Sequence, residues 1–149
     1  MTVDVTTEIV IARPRVQVAA FAANPENAPA WYVNIKSVEW KSAPTIAVGS
    51  RVAFVAHFLG RRLAYTYELV DYTPNERLVM RTAEGPFPME TTYTWEAIGR
   101  DSTRMRLRNF GEPKGFSRLV APLMSLAMRR ANNHDLARLK ALLEGQGAA

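Results

Sequence analysis

GFSRLVAPLMSLAMRRANNHDLARLKALLEG, residues 115–145, is the one run long and regular enough to make a major helix. Leu119, Leu123 and Leu126 share one side of it. Met124, Met128, Ala131, Leu139 and Leu142 fall on a neighbouring side at spacings of three and four. Gly115 and Gly145 are natural stops, and Arg138 and Lys140 suit a helix C-terminus. At a rise of ~1.5 Å per residue the helix would reach roughly 40 Å, about the width of a small domain. Pro122 lacks an N–H and disfavours helical geometry at Ala121, so a kink or a fresh start is expected there. The apolar arc is wide from Phe116 to Ala131, then narrows and turns towards Leu136, Leu139 and Leu143. A helix apolar over a wide arc is covered on more than one side. Its first half therefore needs a cover besides one sheet, either other protein or a ligand.

Working outward, the segments before this helix are mostly extended. Val3, Val5, Thr7, Ile9 and Ile11 alternate with Asp4, Thr6 and Glu8, the pattern of a strand with one buried face. Pro14 starts a short helical stretch through Val16, Val18 and Phe21. Asn24-Pro25 reads as an N-cap with proline at the first helical position, opening a second short helix towards Trp31. Extended structure resumes from Ile35 to Trp40. From Gly49 to Phe110 the chain reads as consecutive hairpins, with turns at Gly60, at Thr73-Pro74-Asn75, through Gly85-Pro86-Phe87-Pro88, and from Gly99 to Ser102. In the last strand Met105, Leu107 and Asn109 face one way, and Arg104, Arg106 and Arg108 the other.

That order is a strand, two short helices, about six antiparallel strands and one long helix. A sheet with one apolar face must cover it, and the final helix alone is long enough. The expected architecture is α+β: a curved antiparallel sheet of about seven strands gripping the helix. A cavity between them would be closed at one end by the two short helices.

Composition sets the outer limits. A chain of 149 residues, 48% hydrophobic, fits one globular domain with a sizeable core. No apolar run reaches the ~20 residues needed to span a bilayer. Asp4 and Glu8 argue against a signal peptide, and the expected location is the cytoplasm. The absence of cysteine excludes disulfides and thiol catalysis. The net charge of +5 is spread along the chain with no basic block, so no nucleic-acid partner is expected. No two histidines stand at ligand spacing and there is no phosphate-binding glycine loop, so neither metal nor cofactor is expected.

Period-two alternation puts Leu63, Tyr65, Tyr67 and Leu69 on one strand face, assigned to the interior, with Met89, Thr91, Tyr93 and Trp95 as the matching set two strands on. Tyr65, Tyr67, Tyr93 and Asn109 would give an apolar cavity a few hydroxyl and amide groups, the mixture that small-molecule pockets need. The same tyrosines also suit an ordinary core with hydroxyls at its rim. His57 falls on the outward alternation. His134 and Asp135, which interrupts the apolar stripe of the final helix, are adjacent helical residues about 100° apart, so they cannot orient one another and read as surface or salt-bridge groups. Glu68, Glu90 and Glu96 lie on the outer face beside Arg81, Arg104, Arg106 and Arg108, where cross-strand charge pairing explains them.

The element order, together with NPENAPAWYVNIKSVEW (24–40), YTYELVDYTPNERLVMRT (65–82), EGPFPMETTYTWE (84–96) and LVAPLMSLAMRRANNHDLARLKALLE (119–144), resembles the SRPBCC or START-like superfamily. Within it the chain is most similar to the bacterial polyketide cyclase/dehydrase-like group. The resemblance spans Val3 to Glu144 and implies a helix-grip (START/Bet v 1-like) fold in a single domain, 1–149. It implies a deep apolar pocket for a small hydrophobic ligand, polyketide-, lipid- or aromatic-like. Its expected lining is Trp31, Phe54, Tyr65, Tyr67, Met89, Tyr93, Asn109, Phe116, Val120, Met124 and Met128, in a monomer or weak homodimer. Catalytic residues stay unassigned. Three readings remain open: ligand binding without chemistry, a metal-free cyclase, dehydratase or isomerase using the same pocket, and a chaperone-activator-like interaction module. Few inward titratable groups favour the first over the second.

Overall fold

A computed structural model describes residues 2–85, 87–112 and 121–145. Strand β1 is Val3–Ile11. Helix α1, Arg15–Ala23, follows, with the helical turn Pro25–Asn27 and the short helix α2, Ala28–Trp31. Asn24 caps this region through its side-chain oxygen, which accepts from Glu26 N–H at 3.0 Å. Six more strands complete the sheet: β2 Ile35–Trp40, β3 Arg51–Phe58, β4 Arg61–Thr73, β5 Arg77–Glu84, β6 Met89–Gly99 and β7 Ser102–Gly111. Helix α3, Ala121–Gly145, ends the described chain.

All seven strands form one antiparallel sheet in the order β1-β7-β6-β5-β4-β3-β2. Register shifts in the β2–β3, β4–β5 and β6–β7 pairs insert bulges. Bulges bend a strand and sharpen its twist, which lets the sheet wrap around α3. This is the α+β helix-grip architecture that the order of elements implies. The expected helix starts at Gly115; its first residues, with Leu119, Phe116 and Val120, lie outside the described residues. Pro122 is the second residue of the described helix.

Alternation sorts the two sheet faces. Leu63, Tyr65 and Leu69 turn inward from β4, as do Met89, Thr91, Tyr93 and Trp95 from β6, and Met105 and Leu107 from β7. The outer face carries a ladder of charge pairs. Arg108 meets Asp4 at 2.8 Å, Arg104 bridges Glu8 at 3.1 Å and Glu96 at 3.0 Å, and Arg81 and Arg51 pair with Glu90 and Glu68. Such exposed pairs are worth ~0–1 kcal/mol each, so they order the face more than they stabilise the fold.

Helix α3 lies along edge strand β1 and is bonded to its open backbone groups. Arg129 donates to Thr6 O, Lys140 to Val10 O, and Ala12 N–H to the Glu144 carboxylate. The buried stripe of α3 is Met124, Leu136, Leu139 and Leu143, with Asn132 and Asp135 on the same side. The expected side carrying Leu123 and Leu126 faces outward instead: these leucines are 62% and 63% exposed, and Leu142 is 37% exposed. One helix can turn only one arc towards the sheet, and the bonds to β1 select the arc centred on Met124 and Leu139.

Candidate functional site

The two halves of α3 meet different surroundings. Its C-terminal half is packed solid: Leu136, Leu139 and Leu143 close against Ile11, Leu69, Leu78, Trp95, Met105 and Leu107. Its N-terminal half packs Met124 against Val3 and Val5 of β1 and borders a cavity of about 150 Å³ between the helix and the strands further along the sheet. Met124, Met128, Ala131, Asn132 and Asp135 form the helix wall, at spacings of three and four. The sheet wall is Phe54, Phe58, Leu63, Tyr65, Tyr67, Met89, Thr91, Tyr93 and Asn109, and Tyr32 and Ala28 close one end.

The aromatic wall is a chain of tilted and edge-on ring contacts. Ring centres lie 5.7 Å apart for Phe54 and Tyr67, 5.8 Å for Tyr65 and Tyr67, and 5.6 Å for Tyr65 and Phe87. Gly85 lets Tyr65 lie against the chain, since a Cβ there would stand 2.5 Å from Tyr65 Cδ1. Without that glycine the ring or the chain would have to shift.

Polar groups gather towards the α2 end. The hydroxyls of Tyr32 and Tyr93 share a hydrogen bond of 2.5 Å. Thr91 Oγ1 donates to Asn109 Oδ1 at 2.7 Å. Burial pushes both Tyr32 and Tyr93 up, and pushes Tyr67 up to about 12 against the opposing hydrogen bond with Thr91, so all three are neutral donors at ordinary pH. Asp135 is the acidic group among them. It is 2% exposed, and its Oδ1 accepts the backbone N–H of Val33 at 2.8 Å. Burial raises its carboxyl to about 6, against the downward pull of the Val33 bond and of the Arg138 charge. One turn earlier, Asn132 is 4% exposed and its Nδ2 has no hydrogen-bond partner among the described residues.

The expected lining residues Phe54, Tyr65, Tyr67, Met89, Tyr93, Asn109, Met124 and Met128 stand around this one space. Trp31 does not: it is fully buried behind the wall, its ring 4.2 Å from that of Tyr32 and 5.8 Å from that of Tyr93. The neighbouring Tyr32 reaches the cavity in its place, because α2 ends at Trp31 and the extended chain turns the next side chain inward. Asp135, expected at the surface, is a correction: it lines the cavity, while His134 beside it is exposed. The scarcity of inward titratable groups is corrected with it. His57 is exposed. Among the described residues no group of three or more His, Cys, Asp or Glu side chains is placed to hold a metal ion, and no helix is long and apolar enough to cross a membrane.

The fold has many structural counterparts. TTHA0849 from Thermus thermophilus superposes with a TM-score of 0.84 at 21% identity, over 97% of this chain and 99% of its own. A START superfamily protein from Mycobacterium smegmatis gives 0.83 at 15% identity over 97% and 99%. The Zhui aromatase/cyclase from Streptomyces sp. R1128 gives 0.82 at 14% identity over 98% and 96%. At these identities the likeness is one of fold. No curated protein matches the sequence. The family described as polyketide cyclase/dehydrase and lipid transport matches residues 2–144. With the match running from before β1 to the last turn of α3, the chain belongs to the polyketide cyclase/dehydrase and lipid transport family.

Proposed function

We propose that this protein binds a small hydrophobic molecule between the sheet and α3, polyketide-, lipid- or aromatic-like in character. The observation that carries this reading is the cavity: largely apolar walls from sheet and helix leave about 150 Å³ unfilled. Protein interiors rarely leave such space, and an apolar void of that size accommodates a benzene-sized molecule. The body of the ligand is therefore about one ring, or two if Met124 and Met128 yield; methionine is the side chain most able to do so. Naphthalene, which is neutral and fluorescent, tests the reading. Titration should give saturable one-to-one binding and a raised unfolding temperature, since a ligand at 100 times its Kd stabilises by about 2.7 kcal/mol. Absence of both would contradict it.

Asp135 favours a second reading, in which the same cavity performs acid–base chemistry on a carbonyl compound. A carboxyl near 6 on an apolar wall exchanges protons close to neutral pH, and Tyr32 and Tyr93 are neutral donors beside it that would polarise a carbonyl oxygen. Proton exchange α to the carbonyl of a small cyclic ketone, followed in deuterated water, is expected with wild type and lost in Asp135→Asn. Equal exchange by both proteins would contradict this role.

A further inference from the structure

Phe58 ends β3 and packs against the cluster that Met124 forms with Val3 and Val5, although β3 and β1 are not neighbours in the sheet. The curl of the sheet thus brings the β3–β4 turn beside the first turns of α3, where Phe58, Met124 and Met128 line the cavity. Leu59 and Gly60 make that turn, both with positive φ, 51° and 74°. Two-residue hairpin turns of this kind favour asparagine, aspartate or glycine, and a leucine in the left-handed region is strained. Burial does not explain the leucine, which is 47% exposed. On α3, Leu123, Leu126 and Arg130 recur at spacings of three and four and form one exposed stripe outside the buried arc.

The charges on these two segments have one sign. Arg61 and Arg62 follow the turn, Arg129 and Arg130 follow the leucines of α3, and all four are exposed. No aspartate or glutamate occurs from Arg51 to Tyr67 or from Ala121 to His134. Leucines exposed singly are ordinary, but here three share one end of the molecule with a set of arginines. A second copy of the chain is a poor occupant, since two such surfaces would set arginine against arginine. An anionic lipid surface suits both kinds of side chain. Leucines enter the boundary between head groups and acyl chains, and arginines meet the lipid phosphates.

We propose that the β3–β4 turn and the exposed stripe at the start of α3 form a docking surface for an anionic lipid membrane, with Leu59, Leu123 and Leu126 entering it. Docking there sets the Phe58–Met124 end of the cavity against lipid. The proposal goes beyond the cavity reading and does not depend on it, because vesicle binding is measured without a ligand. Wild type should sediment with vesicles of phosphatidylcholine and phosphatidylglycerol in equal parts about tenfold more strongly than with phosphatidylcholine alone, and less so as salt rises. Leu59→Asn combined with Leu123→Gln and Leu126→Gln should weaken binding to the mixed vesicles about tenfold. Asparagine suits the left-handed turn, so Leu59→Asn alone should unfold at the same or a higher temperature while binding vesicles less, which separates docking from folding. Arg62→Gln with Arg130→Gln should remove most of the preference for the anionic vesicles. Val16→Ser with Ile98→Ser changes two exposed residues away from this surface, Ile98 lying beside the β6–β7 turn at the other end of the strands, and should bind as wild type does. A wild type that does not bind the mixed vesicles would overturn the proposal, as would equal loss in the Val16 and Ile98 variant. Binding that survives the leucine substitutions would overturn it too, marking a surface for polyanions or acidic proteins that works by charge alone. None of these outcomes bears on the naphthalene titration, so the docking surface and the cavity stand or fall separately.

Discussion

At Asp135 burial sets the chemistry. Its folded value of about 6 lies above the ordinary 3.8, so the folded protein holds this proton more tightly than the unfolded chain does. The stability linked to it is fully present below about pH 4 and is lost as pH rises through about 6. Asp135→Asn keeps an acceptor for Val33 N–H and removes the ionisation. The mutant's stability relative to wild type should therefore rise by about 1–3 kcal/mol between pH 4 and pH 8, each pKa unit being worth ~1.4 kcal/mol. Denaturant titrations at the two pH values check this, and a difference that stays constant with pH would refute the burial argument. Sequence alone assigned Asp135 a surface or salt-bridge role because a charged residue that interrupts the apolar stripe, and cannot pair with the adjacent His134, has no evident work inside. The spacing held the opposite signal: Asp135 follows Met128 by seven residues and precedes Leu139 by four, on the same stripe. Periodicity located the side chain better than its polarity did. The inward tyrosines were legible because strand alternation has a period of two and leaves little freedom.

Helix α3 divides its work along its length, with Leu136, Leu139 and Leu143 closing the core and Met124 to Asp135 bounding the cavity. Leu139→Ala should cost about 2–5 kcal/mol, the range for truncating a buried leucine. Leu123→Ala should fall within about 0.5 kcal/mol of wild type, as exposed substitutions do. Thermal or denaturant unfolding of the two variants side by side distinguishes this arrangement from one in which Leu119, Leu123 and Leu126 form the buried side. Strand β2 and the turns at Gly60 and Thr73-Pro74-Asn75 were readable from local chemistry. Which arc of α3 faces the sheet was not, since leucines at 119, 123, 126, 136, 139, 142 and 143 surround most of the helix. The bonds from Arg129, Lys140 and Glu144 to β1 and the residue after it decide the arc, and such long-range partners leave no local pattern.

Across the whole molecule, the sheet presents arginine–carboxylate pairs outward and an aromatic lining inward, with α3 closing one half and leaving the other half open inside. The order of elements was enough to read this architecture, because only one helix could cover the sheet. The size of the void was not readable, since cavity walls and core share the same faces and residue types. The central claim is that the space beside Met124 is a binding cavity. It is tested most directly by Met124→Trp, measured together with wild type by thermal unfolding with and without naphthalene. A binding cavity predicts a mutant of nearly unchanged stability that no longer takes up naphthalene, while wild type binds and is stabilised by it. A mutant destabilised by about 1–3 kcal/mol through overpacking, with a wild type that never binds the probe, would contradict the account.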